Sequence, residues 1–307
     1  MRYYFAPMEG LTDSIYRRLH HQYFGGVDRY YTPFFSPTIH RTLTNREERE
    51  LPPADSVGFI AIPQVLTKSP EDFLWAAEQC RDRGYSEINL NLGCPSGTVV
   101  SKGKGSGMLR DPETLWRFFD EIFTGSCLPV SVKTRLGLTQ PEEFFALLEI
   151  FNRYPIAELT VHPRVQKQFY DGNIRVELFR YAAEHSKNPL CYNGDLTCTA
   201  DIAAFSAQFP AVEAVMIGRG LIGDPGMLLP GGTATDTLER FMDALLQEYL
   251  EAFGGSRNAM FRLKENWSYL RHHLAISEKL WKQLRKTTDL NEYKSITQEI
   301  FHTLKLK

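Results

Sequence analysis

Eight short β-rich runs alternate with stretches of helical spacing along most of this 307-residue sequence. The runs fall at 3–8, 29–34, 59–66, 87–92, 129–135, 158–164, 190–195 and 214–219. Between them, 13–23, 70–83, 111–123, 141–154, 175–186 and 199–209 carry helix-like patterns. Ser69-Pro70-Glu71-Asp72 and Asp111-Pro112-Glu113 each supply an N-cap, a proline at the first helical position and an acidic first turn. Strands alternating with helices call for a parallel sheet, and eight of them over about 220 residues have the count of a closed (β/α)8 barrel. The second unit is the exception, because 36–56 reads as a charged loop.

Gly223-Asp224-Pro225-Gly226 and Pro230-Gly231-Gly232 end the alternation. Beyond them, 235–253, 258–275, 278–287 and 290–304 all show helical spacing, without a convincing strand. The expected fold is therefore α/β, a TIM barrel at 1–232 followed by a small all-helical domain at 233–307.

Composition narrows the function classes. A chain that is 43% hydrophobic and 23% charged is an ordinary globular one. Its apolar runs fall short of a membrane span, and the pattern predicts a strand from residue 3, so a cytoplasmic protein without leader or membrane contact is expected. Five cysteines (Cys80, Cys94, Cys127, Cys191, Cys198) form no C-x-x-C or C-x-x-H spacing. That favours reduced thiols and no metal site. The net charge of −2 hides an asymmetry: 257–286 holds eight bases against Glu265 and Glu278, a local balance of +6. Arg262, Lys264, Arg271, Lys282 and Arg285 are candidate phosphate contacts, with a solvated helical face as the plain alternative. A monomer is the default.

In such a barrel, function collects at the carboxyl ends of the strands. The fourth run ends in Asn89-Leu90-Asn91-Leu92-Gly93-Cys94-Pro95. Gly93 lets the backbone turn and Pro95 stops the ladder, so the Cys94 thiol is delivered at the strand end, with Asn91 close by. A cysteine there is more often buried and inert. The flexible basic segment Lys102-Gly103-Lys104-Gly105-Ser106-Gly107 behind it argues for a catalytic one. The other ends give Pro7-Met8-Glu9-Gly10, Gln64, Lys133 with Arg135, His162 with Arg164, Asn193-Gly194-Asp195 and Gly218-Arg219-Gly220. Each alone has a bland reading as a turn or an ion-paired side chain. Together they form a phosphate cradle beside donors for the polar edge of a planar ring, and flavin mononucleotide (FMN) fits.

These residues resemble the tRNA-dihydrouridine synthases. The resemblance rests on Ala6-Pro7-Met8-Glu9-Gly10, Asn89-Leu90-Asn91-Leu92-Gly93-Cys94-Pro95, Val130–Gly137, His162-Pro163-Arg164 with Gln168, Tyr170 and Gly172, Asn193-Gly194-Asp195, and Met216-Ile217-Gly218-Arg219-Gly220. It implies an FMN-containing barrel with a helical tRNA-binding domain, reducing a tRNA uridine with NADPH or NADH. By the same resemblance Pro7, Met8, Glu9, Gln64, Lys133, His162, Asn193, Gly194, Asp195, Gly218 and Arg219 hold FMN. Asn91, Arg135 and Arg164 would face the uracil or its neighbours, with Lys102 on the tRNA side. Pro163 and Tyr192 depart from the small residues usual there. A thiol's ordinary pKa of about 8.5 keeps it mostly protonated at neutral pH, which suits Cys94 as the proton donor. Rival readings are a Schiff-base aldolase using Lys133, a flavin oxidoreductase acting on a free pyrimidine (similar to dihydroorotate dehydrogenase), and a non-catalytic RNA-binding protein.

Overall fold

The computed structural model describes residues 1–305. Nine short strands form one parallel sheet: β1 (Arg2–Phe5), β2 (Arg29–Tyr31), β3 (Ala61–Ile62), β4 (Gln64–Val65), β5 (Ile88–Leu92), β6 (Val130–Arg135), β7 (Leu159–His162), β8 (Leu190–Tyr192) and β9 (Ala214–Ile217). β1 pairs with both β2 and β9, in register from Arg2 opposite Ala214 to Phe5 opposite Ile217. β3 pairs with β2 and β4 pairs with β5, yet only Pro63 separates them. Proline has no N–H to give the ladder, but its carbonyl accepts from Asn89 N at 2.8 Å. Residues 61–65 are thus one barrel strand interrupted at Pro63, and the ring has the eight positions that the sequence pattern requires.

Most strands end earlier than their apolar patterns suggest. β1 stops before Pro7 and β7 before Pro163, where a donor is missing, and β8 stops at Tyr192, ahead of Asn193 and Gly194. Along β5 every residue is buried, with Ile88, Leu90 and Leu92 on one face and Asn89 and Asn91 on the other. Tyr4, Ala6, Tyr31, Ile62, Cys191, Ala214 and Met216 form one buried cluster. Tyr4 and Tyr31 donate to the carboxylate of Glu158, which is 2% exposed, at 2.9 and 3.5 Å.

Two expectations need correction. The segment 36–56 is not all loop: it holds the helix Asn45–Glu50, closed by a reciprocal cap in which Glu47 N donates to Thr44 Oγ1 and Thr44 N to Glu47 Oε2. A helix of six residues is too short to display apolar periodicity, so only its Thr-x-x-Glu cap betrays it. Nor is 102–107 an open basic loop. A helical turn Gly97–Val100 leads into a 3₁₀ segment Gly105–Arg110 whose first five residues are buried.

By contacts the chain forms two compact units, one of Met1–Pro7, Asp28–Asp195 and Ile202–Ile217, the other of Met8–Val27, Leu196–Asp201 and Gly218–Lys307. The first is the barrel sheet. The second contains the helix Ser14–Tyr23 as well as Thr235–Phe253, Ser256–Leu270, Glu278–Lys286 and Leu290–Lys305. The N-terminal helix groups with the C-terminal ones because Tyr16, Tyr23 and Phe24 surround the Phe241 ring at 5.4, 5.9 and 5.1 Å. Burying such rings contributes about 1.5–3 kcal/mol each. Tyr249 OH also donates to Asp13 Oδ1, the N-cap of that first helix, at 3.1 Å. Trp267 is fully buried, and its indole N–H donates to Tyr293 OH at 2.8 Å. Among the described residues no helix is long and apolar enough to cross a membrane.

Candidate active site

A chain of buried amides leads across the barrel to Cys94. Asn89 Nδ2 donates to Ser131 Oγ (2.9 Å), Gln64 Nε2 to Asn89 Oδ1 (2.8 Å), and Asn91 Nδ2 to Gln64 Oε1 (2.7 Å). Asn91 Oδ1 then accepts from Gly93 N and Cys94 N at 3.0 and 2.9 Å, shaping the turn that carries the thiol. These polar groups are at most 7% exposed, so each must find a partner inside the barrel.

Three further segments hold the same turn. Ser106 donates to the Cys94 carbonyl through Oγ at 2.7 Å, and Gly105 (φ +56°) lies so close that a Cβ there would stand 3.0 Å from Cys94 Cβ. Arg135 Nε donates to the Gly93 carbonyl at 2.9 Å. Gln166 Nε2 donates to the Pro95 carbonyl at 2.8 Å. The Cys94 backbone is therefore fixed from β5, β6, the 3₁₀ segment and the loop after β7, while its side chain is partly accessible.

Lys133, on β6, sits in register with Asn91 of β5 and is partly reachable by solvent. Burial, followed by repulsion from the Arg135 cation, pulls its ammonium down from 10.5 to about 7; the nearby Cys191 and Cys94 sulfurs act weakly the other way. No described carboxylate pairs with Lys133, so the site holds a cation in need of an anion. Arg135, 1% exposed, also donates to the Val165 carbonyl at 3.1 Å and lies over the Tyr170 ring at 5.5 Å. Its guanidinium is likewise drawn down by burial, to about 10.

Arg164 makes a two-pronged pair with Asp195, NH1 to Oδ1 at 2.9 Å and NH2 to Oδ2 at 2.5 Å, and donates twice to the Gly172 carbonyl. Its NH1 also meets His162 Nε2 at 3.2 Å. An arginine only donates, so Nε2 accepts and the ring proton belongs on Nδ1. Asn193 Nδ2 bonds the Met216 carbonyl at 2.8 Å, tying β8 to β9. Gly194 packs closely there: a Cβ would come within 2.7 Å of Tyr192 Oη and 2.8 Å of Ile174 Cδ1, so those side chains would have to give way.

Gln64, Asn91, Cys94, Lys133, Arg135, His162, Arg164, Asn193 and Asp195 thus come together in the barrel unit. Gln64, Arg135 and Arg164 are buried and engaged in holding the backbone and their neighbours, while Asp195, the ion-pair partner of Arg164, is exposed. Asn89, Ser106 and Gln166 escaped the sequence reading, although Asn89 lies two residues before Asn91 on one strand face. Met8, Glu9, Gly218 and Arg219 belong to the other unit, where the Met8 carbonyl accepts from Leu11 and Thr12 N at 2.9 and 3.0 Å and Arg219 opens the helix Arg219–Gly223. Lys102 is exposed.

The helical unit also divides the basic candidates. Arg262 pairs with Glu265 at 3.4 Å and approaches Asp13 at 3.9 Å, Lys264 Nζ donates to the Thr287 carbonyl, and Arg271 lies on the Trp281 ring while meeting Glu278. Lys282 and Arg285 are exposed, together with Arg257, Lys279 and Lys286.

A closed parallel barrel with a clamped cysteine and a half-buried lysine at its strand ends is the framework of a β/α-barrel enzyme. Among solved structures, morphinone reductase is similar over 74% of this chain and 84% of its own, with a TM-score of 0.54 and 13% identity. An old yellow enzyme homologue from Zymomonas mobilis has a TM-score of 0.52 and 12% identity over 73% of this chain and 86% of its own. Likeness at that level establishes the fold. The sequence relatives are nearer: tRNA-dihydrouridine synthase B of Pasteurella multocida is 27% identical over 73% of this chain and 67% of that protein. A probable tRNA-dihydrouridine synthase of Rickettsia bellii is 31% identical over 73% and 68%, and the synthase B of Proteus vulgaris 25% over 87% and 85%. The family pattern described as dihydrouridine synthase (Dus) matches residues 4–305. The chain belongs to the dihydrouridine synthase family.

Proposed function

We propose that the protein reduces the C5–C6 bond of a uridine in tRNA to 5,6-dihydrouridine, using FMN and NADPH or NADH, in the cytoplasm. The observation that carries this reading is the Cys94 turn, clamped from four elements beside a half-buried lysine, in a chain of this family. Lys133, a half-buried amine without a carboxylate partner among the described residues, fits the anionic edge of a flavin, and His162 and Asn193 supply further polar groups nearby in the barrel. Bound FMN, re-reduced by the nicotinamide, would supply the hydride that the uracil C6 receives. Cys94 Sγ–H would give its proton to C5, leaving a thiolate that takes a proton back from solvent. The Lys133 charge favours both that thiolate and negative charge on the ring system, provided the lysine is protonated. The amide chain from Ser131 to Asn91 fixes where the thiol points, which is how a few ångströms of misplacement are avoided.

Within tRNA the uridine is stacked, so it must be drawn out at a cost of a few kcal/mol. Phosphate contacts from Lys282, Arg285 and the other exposed bases of the helical unit offset that cost. The test is a visible spectrum of the purified protein, followed by incubation with unmodified tRNA and NADPH and mass analysis of the nucleosides. A flavin spectrum with new dihydrouridine is the expected outcome. A colourless protein that takes up no FMN removes the cofactor, and a yellow one that leaves tRNA unchanged removes the substrate.

A further inference from the structure

Phe169 holds a backbone conformation that a phenylalanine does not choose. Its φ is +49° and its ψ −103°, in the region that favours glycine. Hydrogen bonds on both sides keep it there: Phe169 N donates to Gln166 O at 3.0 Å, and Asp171 N to Gln168 O at 2.8 Å. Gln168 Oε1 closes the loop by accepting from Val165 N at 3.0 Å. The conformation stores strain, and the ring gains nothing in return: it is 45% exposed and stacks on no other ring or cation among the described residues. Strain of this kind persists where surrounding structure enforces it, and it concentrates at ligand clamps.

The segment that carries the ring is hydrogen-bonded into the site. Gln166 bonds the carbonyl of Pro95, next to Cys94, and Arg135 bonds the carbonyl of Val165. The neighbouring Tyr170 is 48% exposed and backed by Arg135 at 5.5 Å and His162 at 6.2 Å. An exposed flat ring, on a backbone tied by hydrogen bonds to the segment that reaches Pro95, matches a nucleobase face, which every base presents whatever its identity. Drawing a uridine out of its stack leaves a flanking base without a partner. We propose that Phe169 is the stacking platform for that flanking base, and so a substrate-binding residue of this chain. The inference rests on the tRNA reading above.

Kinetics on unmodified tRNA transcript with Phe169→Gly, Phe169→Leu and Phe169→Trp test it. Glycine relieves the backbone and removes the ring, so its thermal midpoint rises while KM increases about tenfold, equal to about 1.4 kcal/mol. Leucine, apolar but not flat, gives the same rise in KM, and tryptophan restores the wild-type value. The flavin spectrum and kcat stay within twofold in all three. KM within twofold of wild type in both Phe169→Gly and Phe169→Leu overturns the stacking role alone. A wild-type protein that forms no dihydrouridine in any tRNA overturns it together with the reading on which it rests.

Discussion

Replacing Lys133 by methionine probes the electrostatics of the barrel mouth. The lysine's ammonium is ordinary at 10.5 in the unfolded chain and falls to about 7 in the fold, chiefly through burial. Between those values the unfolded state binds more protons than the folded one, so stability rises with pH across that window. Below about pH 7 the fold must carry the buried charge, at about 1.4 kcal/mol per pKa unit, which sets a ceiling of about 5 kcal/mol. Solvent reaching the side chain reduces this to about 2 kcal/mol at pH 6. Methionine of similar length removes the cost. In urea titrations of protein stripped of cofactor, Lys133→Met is therefore more stable than wild type at pH 6, and the gap closes as pH approaches 10. Turnover moves oppositely: wild-type activity falls as Lys133 loses its proton above about pH 7, unless a bound anion holds the proton on. A variant less stable than wild type at pH 6, or a gap independent of pH, refutes the reasoning.

Cys94→Ala keeps flavin absorbance and tRNA affinity but loses about 10²–10⁴-fold in single-turnover rate, the usual worth of a positioned proton donor; unchanged turnover removes Cys94 from that role. Asn89→Leu strands the Gln64 amide and Ser131 hydroxyl, costing about 1–3 kcal/mol in urea and lowering kcat through the displaced Cys94 turn; a stable variant with normal kcat shows the amide chain to be idle. Neutralising Lys282 and Arg285 together weakens tRNA binding and reduces the salt slope of log Kd by about two. The pair Arg262 and Lys264, held within the helical unit, lowers the thermal midpoint instead. A salt-independent affinity in wild type contradicts this division.

The barrel was legible because strands covered on both faces read as apolar runs, and because Ser69-Pro70 and Asp111-Pro112 announce their helices. Strand ends were blurred where apolar pattern outlasts hydrogen bonding, as at Pro7 and Pro163. Glycines misled in one place. Gly105 and Gly107 look like flexibility in the sequence, but both are packed, and a Cβ on Gly107 would stand 2.8 Å from the Val100 carbonyl. The positions of Arg135 and Arg164 at strand ends follow from the pattern. Their engagement with Gly93, Val165 and Asp195 depends on segments distant in sequence, and that with Gly172 on the path of the following loop, neither of which periodicity encodes. Net charge over 257–286 likewise counted Arg262, Lys264 and Arg271 with the exposed bases, since composition carries no information about which partners the fold brings to each of them. The strain at Phe169 is a backbone angle and has no signature in the sequence at all.

The most direct test of the central claim is nucleoside analysis of individual tRNAs from a strain that lacks this gene, complemented in turn with the wild-type and Cys94→Ala forms. The account predicts that dihydrouridine disappears from a defined position, returns with the wild-type gene and fails to return with Cys94→Ala. An unchanged dihydrouridine profile in the deletion strain, with no second synthase present, contradicts it.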